Sequence, residues 1–130
     1  MKSKYHNTPV WRDGIKFQSK KEGDYYLYLK QLVKEGKISN LRMQVEYELL
    51  PKVIGEKIKV KQLKSGTKEV KCQYVKQKAT HYLADFVYTV NETGEEKVID
   101  VKSSATKKKE SYRLKKKMML ALKGIDIIEV

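Results

Sequence analysis

The sequence predicts an α/β protein with a mixed central sheet flanked by helices. Two segments carry apolar residues at helical spacing, several others alternate apolar and polar residues as half-buried strands do, and consecutive strands are close enough to pair as hairpins. The predicted order is a helix, three strand elements with a basic insertion, a second helix and a closing strand. The chain has 130 residues, long enough for one domain over residues 1–130 but not for two.

The first helix is predicted over residues 19–34, where Leu29 and Leu32 belong to an apolar stripe at helical spacing. Ser19 is a suitable N-cap, and Gly36 is suited to the C-terminal end of a helix. Both ends of the helix are therefore marked in the sequence.

A strand and a basic insertion are predicted next. Residues 41–49 alternate strictly between apolar and polar side chains, which indicates a half-buried strand that Pro51 ends. Residues 52–78 contain nine lysines and two glutamates and alternate on both sides of Ser65-Gly66-Thr67. This pattern predicts a basic hairpin or extended arm, inserted over residues 52–79.

The second half of the chain is predicted to complete the sheet and its second helix. Residues 81–90 and 97–102 are expected to pair as antiparallel strands across a short turn. A polar, basic loop over 103–109 leads into a helix over 110–123. Residues 125–130 then close the chain as a short apolar strand.

The charge balance predicts an anionic partner. Lysine and arginine number 29 against 16 aspartates and glutamates, a formal charge of +13 that works against compactness and favours nucleic acid as the ligand. The lysines are not confined to one amphipathic helix, which argues against a membrane surface. No apolar run is long enough to span a bilayer, residues 1–10 do not resemble a signal peptide, and Cys72 is the only cysteine. A cytoplasmic location, in the host cell if the protein is viral, is therefore expected, and a structural zinc site is not.

Asp85, Asp100 and Lys102 are the residues most indicative of function. Asp100 and Lys102 lie two apart on a predicted strand, so their side chains share one face about 7 Å apart, and Asp85 lies on the preceding strand. Like charges close together in a sheet interior lower the stability of the fold by roughly several kcal/mol unless a cation or hydrogen bonds compensate them. A divalent metal ion is the compensation that we expect.

Glu22 is a third acid, on the helix stripe expected to face the sheet. Ser19-x-x-Glu22 is also a capping box, which by itself would account for the glutamate. Asp85 could likewise lie on a solvated face, and Asp100 with Lys102 could form a surface ion pair on an edge strand, worth under about 1 kcal/mol. These alternatives stay open at the level of sequence.

If the acids converge, they predict a metal-dependent phosphodiesterase site. Glu22, Asp85, Asp100 and the Val101 carbonyl offer hard oxygen ligands of the kind that Mg²⁺ or Mn²⁺ prefers. Lys102 could then orient or deprotonate a water molecule, or stabilise the transition state as a fixed cation. The sequence does not choose among these roles.

Several stretches of the chain match one known superfamily in order. They are Asp13-Gly14-Ile15-Lys16-Phe17-x-Ser19-Lys20-x-Glu22, Tyr82-x-Ala84-Asp85-Phe86-x-Tyr88, Ile99-Asp100-Val101-Lys102, Tyr112-x-x-Lys115 and Ile127-Ile128-Glu129-Val130. The chain thereby resembles the PD-(D/E)XK nucleases, and among them small phage proteins similar to Holliday-junction resolvases. It departs from the motif in having Ala84 where the proline is usual and Asp100 where glutamate is more frequent.

The resemblance implies a restriction-endonuclease-like αβββαβ core, with Glu22, Asp85 and Asp100 as metal-binding carboxylates and Lys102 as the catalytic lysine. It also implies a homodimer that cuts four-way DNA junctions using Mg²⁺, or Mn²⁺ in its place, and no organic cofactor. Lys115 is a further candidate for a phosphate contact. The basic arm could exchange between subunits or hold DNA.

Basic residues on both predicted helices and in the loop before the second one are expected to follow DNA phosphates without reading base sequence. The candidates are Lys20, Lys21, Lys107, Lys108, Lys109, Arg113, Lys115 and Lys116. A solvated, nonspecific surface is the alternative for each of them. Two other functions also remain, a nuclease for flaps, single strands or linear duplexes and a noncatalytic DNA-binding recombination accessory protein.

Overall fold

A computed structural model describes residues 8–130, apart from the side chains of Ser104 and Thr106. Residues 1–7, part of the segment predicted to lack a signal peptide, lie outside this range. The described chain divides into two compact units. The sheet unit contains the residues up to Val45 together with Leu83–Val130, and the hairpin unit is Glu46–Tyr82. Folding of the whole chain as one domain stays a prediction.

The described chain forms eight strands and three helices. They are β1 (Val10–Arg12), β2 (Ile15–Phe17), α1 (Lys20–Lys34), β3 (Ile38–Leu50), β4 (Val53–Leu63), β5 (Gly66–Gln77), β6 (Thr80–Val90), β7 (Glu96–Asp100), α2 (Ser104–Lys107), α3 (Glu110–Lys123) and β8 (Ile128–Glu129). Four strands form the main sheet in the order β3-β6-β7-β8, where β6 and β7 are antiparallel and β7 and β8 are parallel. The predicted α/β class with a mixed sheet is therefore confirmed.

Helix α1 begins and ends as its sequence indicates. The Ser19 hydroxyl accepts a hydrogen bond from the Glu22 amide at 3.2 Å, which satisfies one of the free N–H groups of the first turn. Gly36, two residues beyond the helix, has φ +74°, in the left-handed region that glycine adopts without strain.

The main core lies between α1 and the sheet. The side chains that form it come from β2, α1, β3, β6 and β7: Phe17, Tyr26, Leu29, Ile38, Phe86 and Ile99. The Phe17 ring lies 5.0 Å from the Tyr26 ring and 6.4 Å from the Phe86 ring, centroid to centroid, in tilted arrangements that aromatic pairs favour. This packing fixes α1 against the strands.

Helix α1 also approaches a short N-terminal hairpin that the sequence analysis missed. Strands β1 and β2 pair antiparallel around Asp13-Gly14, whose φ values of 51° and 74° suit a tight turn. On α1, a Cβ atom at Gly23 would lie 2.8 Å from Val10 Cγ2 and 3.2 Å from Arg12 Cγ. The contact between hairpin and helix therefore leaves no room for a side chain at position 23.

The remaining elements confirm most of the predicted order. The strand predicted over 41–49, the antiparallel pair β6–β7 and the helix over 110–123 are all present. The loop prediction for 103–109 is wrong over Ser104–Lys107, which forms the one-turn helix α2. The closing strand is shorter than predicted, because only Ile128 and Glu129 pair with β7.

The hairpin unit contains the predicted basic hairpin. Strands β4 and β5 pair antiparallel from Val53↔Gln77 to Leu63↔Gly66, so Lys64 and Ser65 form the turn between them. Most side chains of both strands are exposed.

Among the described helices, none has the length and apolar composition needed to cross a membrane.

Leu29 should carry a large share of the stability of the α1–sheet core. Its side chain is fully buried, so Leu29→Ala leaves a cavity and should lower the free energy of unfolding by about 2–5 kcal/mol in denaturant titrations. Leu27, on the same helix, is 40% exposed, so Leu27→Ala should cost under about 1 kcal/mol. Equal losses in the two variants would contradict the packing described here.

Candidate active site

Asp85 and Asp100 meet on the two central strands of the sheet. The β6–β7 pairing ends at Phe86↔Ile99. Asp85 is the residue before Phe86 on β6, and Asp100 is the residue after Ile99 on β7. Asp85 Oδ2 accepts a hydrogen bond from the Val101 amide at 2.9 Å, and the two carboxyl groups are themselves hydrogen-bonded. Such a contact between acids requires that a proton be shared or that a cation offset the repulsion.

Asp100 is fully buried and ion-paired. Its Oδ1 lies 3.1 Å from Lys102 Nζ, and the Lys102 side chain is 23% exposed. The alternative of a surface ion pair on an edge strand is therefore wrong, because β7 lies between β6 and β8 and the carboxylate has no solvent contact. Removing one partner of a buried pair leaves an uncompensated charge, so Asp100 and Lys102 depend on each other.

Glu22 joins this group from helix α1. Its backbone amide belongs to the Ser19 cap, but its carboxylate accepts a hydrogen bond from Gln44 Nε2 at 3.3 Å. Burial raises the pKa of Glu22, the Lys102 ammonium lowers it, and the Asp100 carboxylate raises it. Capping therefore explains the amide, and the carboxylate interacts electrostatically with the other predicted site residues.

The Asp85 carboxyl is the most perturbed acid of the group. Burial raises its pKa to about 7, and the hydrogen bond with Asp100 and the Asp100 and Glu22 charges act in the same direction. The hydrogen bond from the Val101 amide opposes these effects. Near neutral pH the Asp85 carboxyl is therefore partly protonated, and its ionised form is the one that binds a cation.

Helix α3 and strand β8 support Lys102 through residues whose contacts the sequence analysis did not foresee. The Lys102 ammonium lies 5.2 Å from the centre of the Tyr112 ring, within the range of a cation–π contact. The Tyr112 hydroxyl donates to Glu129 Oε2 at 3.1 Å, and Lys116 Nζ donates to Glu129 Oε1 at 2.7 Å. Tyr112 and Glu129 lie within the stretches that resemble the nucleases, but nothing in their spacing shows this pairing.

The basic residues predicted to contact DNA all belong to the sheet unit. Lys107, Lys108, Lys109 and Arg113 are exposed, whereas Lys115 and Lys116 are half-buried. Lys20 and Lys21 are exposed on α1, and Lys21 Nζ donates to the Lys102 carbonyl at 3.1 Å. Contact with DNA stays a prediction for each of them.

A basic cavity of about 210 Å³ lies next to the Tyr112–Glu129 contact. Its lining residues are Lys107, Tyr112, Arg113, Lys116, Lys117 and Glu129. Four of the six are cationic, so this part of the surface suits a phosphate group.

The acids were also compared with what a metal ion requires. Within residues 8–130, no group of three or more His, Cys, Asp or Glu side chains is arranged to hold a metal ion. Mg²⁺, however, commonly binds through one or two carboxylates together with water and substrate phosphates. The hydrogen-bonded Asp85 and Asp100 carboxyls match that smaller donor set in type and number. The Val101 carbonyl and Glu22 as ligands stay predictions.

The chain was compared with known families and structures. A family described as "Protein of unknown function (DUF1064)" matches residues 2–126. The chain belongs to the DUF1064 family. No curated protein and no solved structure matches this DUF1064 chain significantly. The acid group, the supporting Tyr112 and all the lysines and arginines lie in the matched region of the DUF1064 chain.

The raised pKa of Asp85 predicts how stability depends on pH. The native state binds the Asp85 proton more tightly than the unfolded state, whose pKa is near 3.8, so stability should fall as the pH rises towards 7 and then level off. Asp85→Asn should remove this dependence and gain on the order of 2 kcal/mol over the parent at pH 8, with the difference vanishing towards pH 4.

Denaturant titrations in EDTA across this pH range would measure the effect. Asp126 is exposed, and Asp126→Asn is the matched control, which should leave the pH profile of the parent unchanged. A parent whose stability rises between pH 4 and pH 7 while Asp85→Asn stays flat would contradict the assignment.

Proposed function

We propose that this DUF1064 chain is a Mg²⁺-dependent, structure-selective DNA endonuclease of the PD-(D/E)XK type that resolves four-way junctions. The observation that carries the proposal is the group of Glu22, Asp85 and Asp100, in which three elements supply acids that interact electrostatically with one another, with Lys102 ion-paired to Asp100. Acids with strongly perturbed pKa values cluster at functional sites, and burial raises the pKa of Asp85 to about 7. The chain's charge of +13 suits a polyanionic substrate.

The order of elements also supports the proposal. Omitting the hairpins β1–β2 and β4–β5 and the single turn α2, the chain runs α1, β3, β6, β7, α3, β8. This is the αβββαβ order that the resemblance implies for a restriction-endonuclease-like core. In this order Asp85 lies on the second strand and Asp100 at the end of the third, which agrees with the consecutive strands expected for an acid followed by Asp-x-Lys.

Asp85 and Asp100 would hold the metal ion, and Glu22 is the third acid near them. When bound, Mg²⁺ supplies Lewis acidity to a phosphoryl oxygen and lowers the pKa of a coordinated water molecule. Burial raises the pKa of Asp85 to about 7, so metal binding by this carboxyl would compete with protonation near neutral pH.

Lys102 acts as a fixed positive charge in this proposal. Its ion pair with Asp100 and its position over the Tyr112 ring hold the ammonium group in one place. A cation that is already oriented stabilises negative charge developing on a phosphate without a reorganisation cost. The contact of Tyr112 with Glu129 fixes the ring, so Tyr112 is a positioning residue.

The substrate and the assembly follow from the number of sites. A four-way junction offers two strands related by two-fold symmetry, and one chain carries one acid group. Paired cuts therefore require a symmetric dimer. The exposed cations of α2 and α3, and the basic cavity beside Tyr112, would bind phosphates flanking the scissile bond.

A noncatalytic DNA-binding protein is the second candidate, and one observation favours it. The Lys102 ammonium and the hydrogen bond between Asp85 and Asp100 already offset the negative charge of the group without a metal ion. A purely structural role for the acids predicts DNA binding with no hydrolysis.

Cleavage of a labelled four-way junction distinguishes the two candidates. With Mg²⁺ or Mn²⁺ the protein should cut the junction, and Asp100→Asn should lower the rate at least about a hundredfold while keeping most of the junction affinity. Asp126→Asn, which changes an exposed acid of the same unit, should cut like the parent. Tight junction binding without any metal-dependent cutting would reject the nuclease. A fork, a single strand and a linear duplex in the same assay test the choice of substrate.

Metal binding can be measured without activity. Because only the ionised form of Asp85 binds a cation, Mg²⁺ at about ten times its Kd should raise the Tm by about 4 °C at pH 8 and much less at pH 5, where Asp85 is protonated. Asp85→Asn should lose most of the shift, and Asp126→Asn should keep it. A shift of equal size in the parent and in Asp85→Asn would place the ion elsewhere.

A further inference from the structure

The β4–β5 hairpin has two faces of different charge. Residues paired across antiparallel strands share a face, as do residues two apart on one strand. The register pairs Lys57 with Cys72, Lys59 with Val70 and Lys61 with Lys68. These four lysines therefore lie on the same face.

Side-chain contacts place a fifth lysine and a tyrosine there. The Lys57 ammonium lies 5.2 Å from the centre of the Tyr74 ring. A Cβ atom at Gly55 would lie 2.8 Å from that ring and 3.0 Å from Lys76 Cγ, so Gly55, Tyr74 and Lys76 share the face as well. We call this the basic face, with the lysines Lys57, Lys59, Lys61, Lys68 and Lys76.

The acids of the hairpin lie on the other face. Glu56 pairs with Gln73 and Glu69 pairs with Val60, both out of phase with the basic face. Lys71, opposite Ile58, is the one lysine of the two strands on that side. The basic face thus carries five positive charges and no negative one, while the opposite face carries one positive and two negative charges.

Within the described residues, the lysines of the basic face have no carboxylate at ion-pair distance. All five are exposed, and none lies within ion-pair distance of a carboxylate in residues 8–130. Lys61 and Lys68 even face each other directly across the two strands, an arrangement that destabilises a hairpin. Their mutual repulsion is relieved when an anion binds.

The spacing of the charges suits a phosphate backbone. Lys57, Lys59 and Lys61 follow one another at about 7 Å along β4. A two-stranded β-ribbon also has the width that the major groove of B-DNA, about 12 Å across, admits. Ammonium groups bind phosphates as point charges and carry no base-reading geometry, so such binding would be independent of sequence.

We propose that the basic face of the β4–β5 hairpin is a duplex DNA-binding surface that contacts phosphates on the arms of the substrate. The inference rests on the proposed function in taking DNA as the polyanion, but it does not require catalysis. It assigns to the insertion an affinity for DNA that is separate from the acid group.

Two lysines form a matched pair for the test. Lys59 pairs with Val70, and Lys71 is the next residue along β5, so both are exposed, central in the hairpin and on opposite faces. Binding of the full-length protein to a labelled linear duplex is measured in EDTA over a series of salt concentrations. The variants are Lys59→Gln, Lys71→Gln and the triple change of Lys57, Lys59 and Lys61 to Gln.

The salt dependence reports phosphate contacts directly. Lys59→Gln should lower the slope of log K against log salt by about 0.9, and the triple variant by about three times as much. Lys71→Gln should leave the slope unchanged. Replacing the same three lysines by arginine keeps the charges and should keep the binding, which excludes an effect of misfolding.

Equal losses for Lys59→Gln and Lys71→Gln, or no loss in the triple variant, would overturn the inference. The binding assay tests the basic face alone, because no cleavage occurs in EDTA, and the cleavage assay tests the nuclease. A protein that cuts nothing but shows face-dependent binding contradicts the nuclease alone. A protein that cuts junctions and binds equally well without the three lysines contradicts the basic face alone.

Discussion

The site depends on one interaction, the burial of the Asp100 carboxylate beside the Lys102 ammonium. A charged group without solvent contact is tolerated only if its neighbours compensate it, and here the compensation comes from a residue two positions along the same chain. Strand β8 holds this segment in place, because Val130 N donates to the Asp100 carbonyl at 3.0 Å and Lys102 N donates to the Val130 carbonyl at 3.2 Å. The parallel pairing of the chain's last strand is therefore part of the site's construction.

Local sequence signals were enough for most of the fold, but failed where tertiary contacts decide. Helix α1 has its N-cap at Ser19, and the pair β6–β7 consists of strand-forming residues on both sides of a turn that contains Gly94, so both could be predicted. The β1–β2 hairpin was missed although Asp13-Gly14 is a strong turn signal, since three-residue strands show no periodicity. Helix α2 is a single turn in a lysine-rich segment, too short for a periodic pattern.

The same division applies to the site. The sequence predicted Asp100 and Lys102 on one face of a strand, Asp85 on the preceding strand and Glu22 on the helix stripe, although β7 ends at Asp100 and Lys102 lies just beyond it. The depth of burial could not be read from these residues, because it depends on β7 having neighbours on both sides. The contacts of Gln44 with Glu22 and of Tyr112 with Lys102 each join residues of different elements, and neither contact is marked by a sequence motif. The proposed site of this DUF1064 chain therefore includes Gln44 and Tyr112 as well as the acids and Lys102.

Gly23 links the N-terminal hairpin to the position of the Glu22 carboxylate. The residue follows Glu22 directly, and its missing side chain lets Val10 and Arg12 rest against the helix backbone. Any larger residue there would push either the hairpin outwards or the first turn of α1 inwards, and the second movement would swing the Glu22 carboxylate relative to Asp100. The position of the Glu22 carboxylate relative to Asp100 therefore depends in part on the absence of a Cβ atom at residue 23. Variation at this position could tune the cluster remotely, with all four charged side chains intact.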